Sequence, residues 1–135
     1  MAYKIVEAEV RNEKGIHARP SALLVRSCLK HDKKYTITAR KISPEISDEI
    51  DARDVMGWMT LEAYQGSRIK VKIEYDPKNN EKNSYVDKLT AELVKLIDSD
   101  LDEIVERYAR TQSNFRIRII HFLMNYLPHF LRRGK

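Results

Sequence analysis

Apolar and polar residues alternate from Tyr3 to Val10, where Ile5 and Val6 are flanked by Lys4 and Glu7, and a period of two predicts a first strand. The period then changes. From about Ala18 to Lys30 the apolar positions Ala22, Leu23, Val25 and Leu29 lie on one face of a first helix. Tyr35-Thr36-Ile37-Thr38-Ala39 alternates again and is rich in β-branched residues, which predicts a strand. Ser43-Pro44 interrupts it before a short strand near Glu49 to Ala52, so the pair reads as a hairpin. Val55 to Ala63 reads as a short helix ended by Gly66, Arg68 to Tyr75 as a fourth strand, and Asp76-Pro77-Lys78-Asn79-Asn80 as a turn. A third helix is expected to open near Ser84. Tyr85, Leu89, Leu93, Leu96 and Ile97 keep its period, and the apolar stripe runs on through Leu101, Ile104, Val105 and Tyr108.

This order predicts an α+β fold: an open-faced two-layer sandwich with a four-stranded antiparallel sheet and three helices on one face, βαββαβα, over residues 1–98. Residues 99–135 form a basic, apolar, helical extension. A chain of 135 residues buries one proper core, which excludes a large multidomain enzyme. No apolar run reaches the roughly 20 residues that span a bilayer, and the opening residues lack the uninterrupted apolar stretch of a secretory signal. A cytoplasmic location is therefore expected. Cys28 is the one cysteine, which leaves no internal disulfide and no cysteine-based metal cluster. His17, His31, His121 and His129 show no tight ligand spacing with carboxylates, so neither a metal nor another cofactor is expected.

Charge is distributed unevenly. The net charge is +5, yet residues 107–135 carry seven cations and no Asp or Glu, which leaves −2 for the rest of the chain. Within that tail, Ile117, Ile119, Ile120, Phe122, Leu123, Met124, Leu127 and Phe130 are bracketed by arginines. Such a segment, 115–131, can pack on its own domain, form a homo-oligomer interface, or lie at an anionic membrane surface as a peripheral contact. Self-association is the favoured reading. Nucleic-acid binding through the basic tail is disfavoured, because no stacking aromatics or helix-turn-helix pattern accompany the charge.

The densest chemistry lies in Gly15-Ile16-His17-Ala18-Arg19-Pro20-Ser21-Ala22-Leu23-Leu24-Val25. Pro20 has no amide hydrogen to lose and presets the helical φ, so it marks a first helical turn with His17 in the capping region. The unpaired amides of Ala18 and Arg19, the positive end of the helix dipole and the Arg19 guanidinium together favour an anion. A neutral imidazole there offers a lone pair as a nucleophile without a separate base. A phosphoryl group is the expected cargo, with Ala18, Arg19 and Pro20 as the phosphate-binding residues.

Gly-Ile-His-Ala-Arg-Pro followed by that apolar face resembles the active-site signature of the HPr phosphocarrier proteins. Ala52-Arg53-Asp54-Val55-Met56-Gly57-Trp58-Met59-Thr60-Leu61 and Gly66-Ser67-Arg68-Ile69-Lys70-Val71 resemble the same family's second helix and following strand, and the likeness runs from about residue 3 to about residue 98. The resemblance implies that His17 takes phosphate at Nδ1 from enzyme I of the phosphoenolpyruvate-dependent sugar phosphotransferase system and passes it to enzyme IIA domains. Such a protein is a stoichiometric carrier, not an enzyme. An alternative is a regulatory module whose phosphohistidine signals to a transcription or metabolic partner.

Partner docking needs an apolar surface beside the histidine, and Ile16, Val55, Met56 and Met59 are the expected contributors, although such a stripe also suits a core. Asp54 stands where many members of the family carry a phosphorylatable serine. Its carboxylate is a favourable helix cap, and a permanent partial mimic of phosphoserine is the sharper reading. The extension beyond about residue 98 is the main departure from the family's usual length.

Overall fold

In the computed structural model, residues 2–30, 35–78 and 80–111 are described. Four strands and four helices follow one another as β1 (Ala2–Glu9), α1 (Ala18–Leu29), β2 (Thr36–Ser43), β3 (Ile50–Asp51), α2 (Val55–Thr60), β4 (Arg68–Tyr75), α3 (Asn80–Ile97) and α4 (Leu101–Thr111). The sheet has the order β1-β4-β2-β3 and every neighbouring pair is antiparallel. β4 is central, with Val6 opposite Val71 on one side and Ala39 opposite Val71 on the other. The predicted hairpin forms, with Thr38 opposite Asp51 and Ala39 opposite Ile50.

Alternation along the strands decides which face is covered. Ile37 and Ala39 of β2 and Ile69, Val71 and Ile73 of β4 are buried, while Tyr3 and Ile5 of β1 stand exposed on the open face. The buried residues join Leu24, Val25 and Cys28 of α1, Val55 and Trp58 of α2, and Val86, Leu89, Leu93 and Ile97 of α3 in one apolar core. Trp58 is fully buried, and its indole N–H donates to the Ala52 carbonyl at 2.8 Å, so its polar edge is satisfied. Burial pushes the Cys28 thiol up to about 12, which keeps it protonated and chemically quiet.

Two helix boundaries differ most from the sequence reading. α3 opens at Asn80 instead of near Ser84, and α2 closes at Thr60 instead of at Ala63. The apolar stripe that runs past Ile97 is also not one helix. The Ile97 carbonyl accepts from the Arg11 backbone N–H at 3.2 Å, and Ser99 turns back to Leu96 through its hydroxyl at 2.6 Å. Asp100 then starts α4 by accepting the Glu103 N–H on its side chain at 3.1 Å and the Ile104 N–H on its carbonyl at 3.1 Å. The stripe is continuous in sequence because both helices bury an apolar face, but they bury it in different places.

α4 lies on α1, where Leu101 and Val105 meet Ala22 and Leu23 in a small second cluster flanked by Leu96 and Ile104. The basic apolar stretch 115–131, with its oligomer and membrane readings, lies outside the described residues. Among the described residues no helix is long and apolar enough to cross a membrane.

Because the apolar packing of α4 among the described residues is this small cluster, Leu101→Ala is expected to open α4 without unfolding the sheet. Hydrogen exchange of the full chain should show α4 amides exchanging roughly 30- to 100-fold faster, a loss of ~2–3 kcal/mol, with β4 amides keeping their protection.

Candidate functional site

The segment between β1 and α1 is held on both sides before it reaches His17. The Val10 N–H donates to the Ser67 carbonyl at 2.7 Å and the Gly66 N–H returns to the Val10 carbonyl at 2.8 Å. Gly15 sits at φ +74, and a Cβ there would run into the Ala63 carbonyl oxygen, so both the left-handed backbone and the close approach require glycine. The Ile16 N–H donates to that same Ala63 carbonyl at 2.9 Å. His17 follows with an extended backbone as the N-cap of α1, and its carbonyl accepts both the Ser21 N–H at 2.9 Å and the Ser21 hydroxyl at 2.7 Å.

His17, Ala18, Arg19 and Pro20 therefore share one helix start. The His17 side chain makes no capping bond to the first-turn amides, Pro20 has none to offer, and the helix carries no acidic residue in its first turn. The first-turn amides of α1 therefore have no side-chain cap from the N-cap residue. The His17 side chain is 41% exposed and Arg19 is 44% exposed, so a second protein can reach both.

Three residues that local sequence patterns do not single out complete the site. His17 Nε2 lies 3.0 Å from Asp102 Oδ1 and 3.3 Å from Oδ2, and Arg19 Nη1 donates to Glu106 Oε1 at 3.4 Å. Asn12, fully buried, donates from Nδ2 to Asp102 Oδ2 at 3.0 Å and to the Gly15 carbonyl at 2.8 Å, and accepts the Asp102 N–H on Oδ1 at 3.0 Å. Asp102 and Glu106 are one helical turn apart on α4, in parallel with the Leu101 and Val105 pair that docks it. That second i,i+4 pair beside the first is the one sequence signal that they share a face. Its target, some 85 residues earlier, is set by tertiary packing.

Glu13 and Lys14 from the loop and Asp100, Glu103 and Arg110 from the α4 region line the same open depression. Among the described residues that line it, carboxylates outnumber cations. Among the described residues no group of three His, Cys, Asp or Glu side chains is arranged to hold a metal ion.

The expected docking residues divide. Ile16 and Val55 are buried members of the main core and present no surface, because the loop that aims His17 turns Ile16 inward and the first turn of α2 packs on the sheet. Met56 and Met59 are half-buried and keep an accessible part. Asp54 is the N-cap of α2, and its Oδ1 accepts the Met56 N–H at 3.0 Å.

The family model described as "PTS HPr component phosphorylation site" matches residues 6–97. A phosphocarrier protein HPr of Xylella fastidiosa is 35% identical over 68 residues, covering 50% of this chain and 70% of that protein. One of Treponema pallidum is 32% identical over 65 residues, covering 48% and 67% respectively. Among solved structures, HPr of Thermoanaerobacter tengcongensis superposes with a TM-score of 0.55 at 31% identity over 73% of this chain and 96% of that one. HPr of Bacillus anthracis superposes with a TM-score of 0.56 at 22% identity over 72% and 99%, a likeness of fold. The matched residues stop before α4 begins at Leu101.

Gly15→Ala is expected to cost ~2–3 kcal/mol in urea unfolding, since the strained φ adds to the collision with Ala63. Gly66→Ala, at φ +92 with open space around it, should cost only about 1 kcal/mol.

Proposed function

The chain belongs to the HPr phosphocarrier family, and from that premise we propose that it carries a phosphoryl group on His17, taken from enzyme I and passed to enzyme IIA domains of the phosphoenolpyruvate-dependent sugar phosphotransferase system. The observation that carries this reading is the half-exposed imidazole at the start of α1, with Arg19 two residues on and no side-chain cap from His17 on the helix end. Transfer needs little covalent machinery. The Nδ1 lone pair forms the new N–P bond as the donor's bond to phosphorus breaks, and the donor nitrogen keeps its electron pair. The amides of Ala18 and Arg19 and the Arg19 guanidinium meet the charge spread over the phosphoryl oxygens.

Arg19 has to turn from Glu106 to do so. Both side chains of that pair are nearly half exposed, so exchanging it for a phosphoryl oxygen costs at most ~1 kcal/mol. The carboxylates around the site oppose a dianion. For a carrier this is an advantage, because a phosphoryl group held too firmly would not be handed on. The partners meet the ring from solvent, and Met56 and Met59 supply adaptable apolar contact beside the site. The cytoplasm is the setting for this chemistry.

A second reading uses the same phosphohistidine as a signal, with transfer to an enzyme IIA domain absent. Its motive is α4, which brings Asp102 and Glu106 against the two site residues and lies beyond the part matched by the family.

Incubation with phosphoenolpyruvate and enzyme I should place acid-labile, base-stable phosphate on the wild type and none on His17→Ala. An enzyme IIA domain should then drain the label, and labelling without drainage favours the regulatory reading. For Asp54→Ser, which keeps a cap while removing the charge, transfer rates from enzyme I are expected to stay unchanged. A clear rise would identify Asp54 as a phosphoserine mimic.

A further inference from the structure

We propose that Asp102 is a positioning residue for His17, holding its ring in the Nε2–H tautomer so that the lone pair lies on Nδ1. The proposal rests on the carrier reading above for its use, but not for its geometry. An ionised carboxylate only accepts hydrogen bonds, so the 3.0 Å contact between His17 Nε2 and Asp102 Oδ1 puts the ring proton on Nε2. In the neutral ring the nitrogen left without a proton is then Nδ1. Which nitrogen of a histidine reacts is set by the bond the other one makes.

The carboxylate is itself held in place. Asn12 donates to Asp102 Oδ2 and to the Gly15 carbonyl and accepts the Asp102 N–H, so both faces of a fully buried amide are used to aim one side chain. The partners also settle which way that amide points, because the carboxylate must face the nitrogen and the N–H must face the oxygen. Leu101 and Val105 pack α4 on Ala22 and Leu23 of the helix that His17 caps, which fixes the distance between the two groups. Asp102 lies outside residues 6–97, so this support is supplied by the part of the chain that the family match does not reach.

The same contact acts during transfer. When the Nδ1 lone pair forms the bond to phosphorus and the donor's N–P bond breaks, the Nε2 proton stays and the ring acquires a positive charge. The Asp102 carboxylate, 3.0 Å away, faces that charge, as a carboxylate behind a catalytic imidazole does. On release the electron pair of the N–P bond returns to Nδ1 and the ring is neutral again. Asp102 also closes Nε2 to attack on phosphorus, so the phosphoryl group has one nitrogen to go to.

The test uses the full chain, uniformly 15N-labelled, with potassium phosphoramidate as a small chemical phosphoryl donor. Nitrogen NMR of the His17 ring reads the tautomer before any phosphorylation, and phosphorus NMR then distinguishes the Nδ1 from the Nε2 adduct. The wild type is expected to show the Nε2–H tautomer and the Nδ1 adduct alone. Asp102→Ala should give a mixed tautomer and an Nε2 adduct, with Nδ1 labelling slowed about tenfold. Asp102→Asn retains the backbone bond to Asn12 and the α4 packing, and because Asn12 Nδ2 holds the new amide's oxygen, its NH2 faces His17 Nε2, so the ring should shift toward the Nδ1–H tautomer with α4 still docked. A wild-type Nδ1–H tautomer, or variants whose tautomer and adduct match the wild type, would overturn the proposal and leave Asp102 as a docking contact only. If the tautomers behave as expected but neither phosphoramidate nor enzyme I labels His17, the carrier reading fails and the assignment of Asp102 stands.

Discussion

The buried side-chain amide of Asn12 is the interaction on which the site's geometry depends. It takes two acceptors and one donor, and these belong to separate parts of the chain: the Gly15 carbonyl just before the helix, and the side chain and backbone N–H of Asp102 at the start of α4. A buried amide left half satisfied is costly, so the three bonds form together. His17 follows Gly15 by two residues and touches the carboxylate that Asn12 holds. The helix start, the loop and the added helix are thereby tied at one point.

That tie sets up a balance of charge. The start of α1 favours an anion, with backbone amides, a helix dipole and Arg19 on the same side. α4 brings Asp102 and Glu106 to the same two residues and adds Asp100 and Glu103 to the rim. A site meant to retain phosphate would not be built so. The proposed passage of a phosphoryl group between two proteins gains from groups that align the nucleophile and shed the product, and from half-exposed side chains on His17 and Arg19.

Stability is divided along the same line. The main core is a single apolar cluster from the covered face of the sheet and three helices, and it carries Ile16 and Val55 with it. Among the described residues α4 depends on a cluster of four buried residues and on the polar contacts around Asn12. Its attachment is the weaker of the two, and its polar contacts are the ones that reach the imidazole.

Much of this was legible along the chain. Alternation marked the strands, helical periodicity marked α1 and α3, and Pro20 marked the start of α1 beside His17 and Arg19, because each of these signals acts within a few residues and follows from backbone sterics or hydrogen bonding. The docking residues were harder. Ile16 and Val55 are apolar whether they face a partner or the core, and the pattern alone does not separate the two. The break between α3 and α4 depends on Arg11 reaching the Ile97 carbonyl, and the placement of Asp102 on Asn12 and His17 lying beside it. By itself, then, the sequence determined the strands, the main helices and the helix start that carries His17, through interactions local to each segment. Only the tertiary structure decided which apolar residues were covered and which carboxylate stood behind the histidine, because those depend on packing between segments some 85 to 90 residues apart.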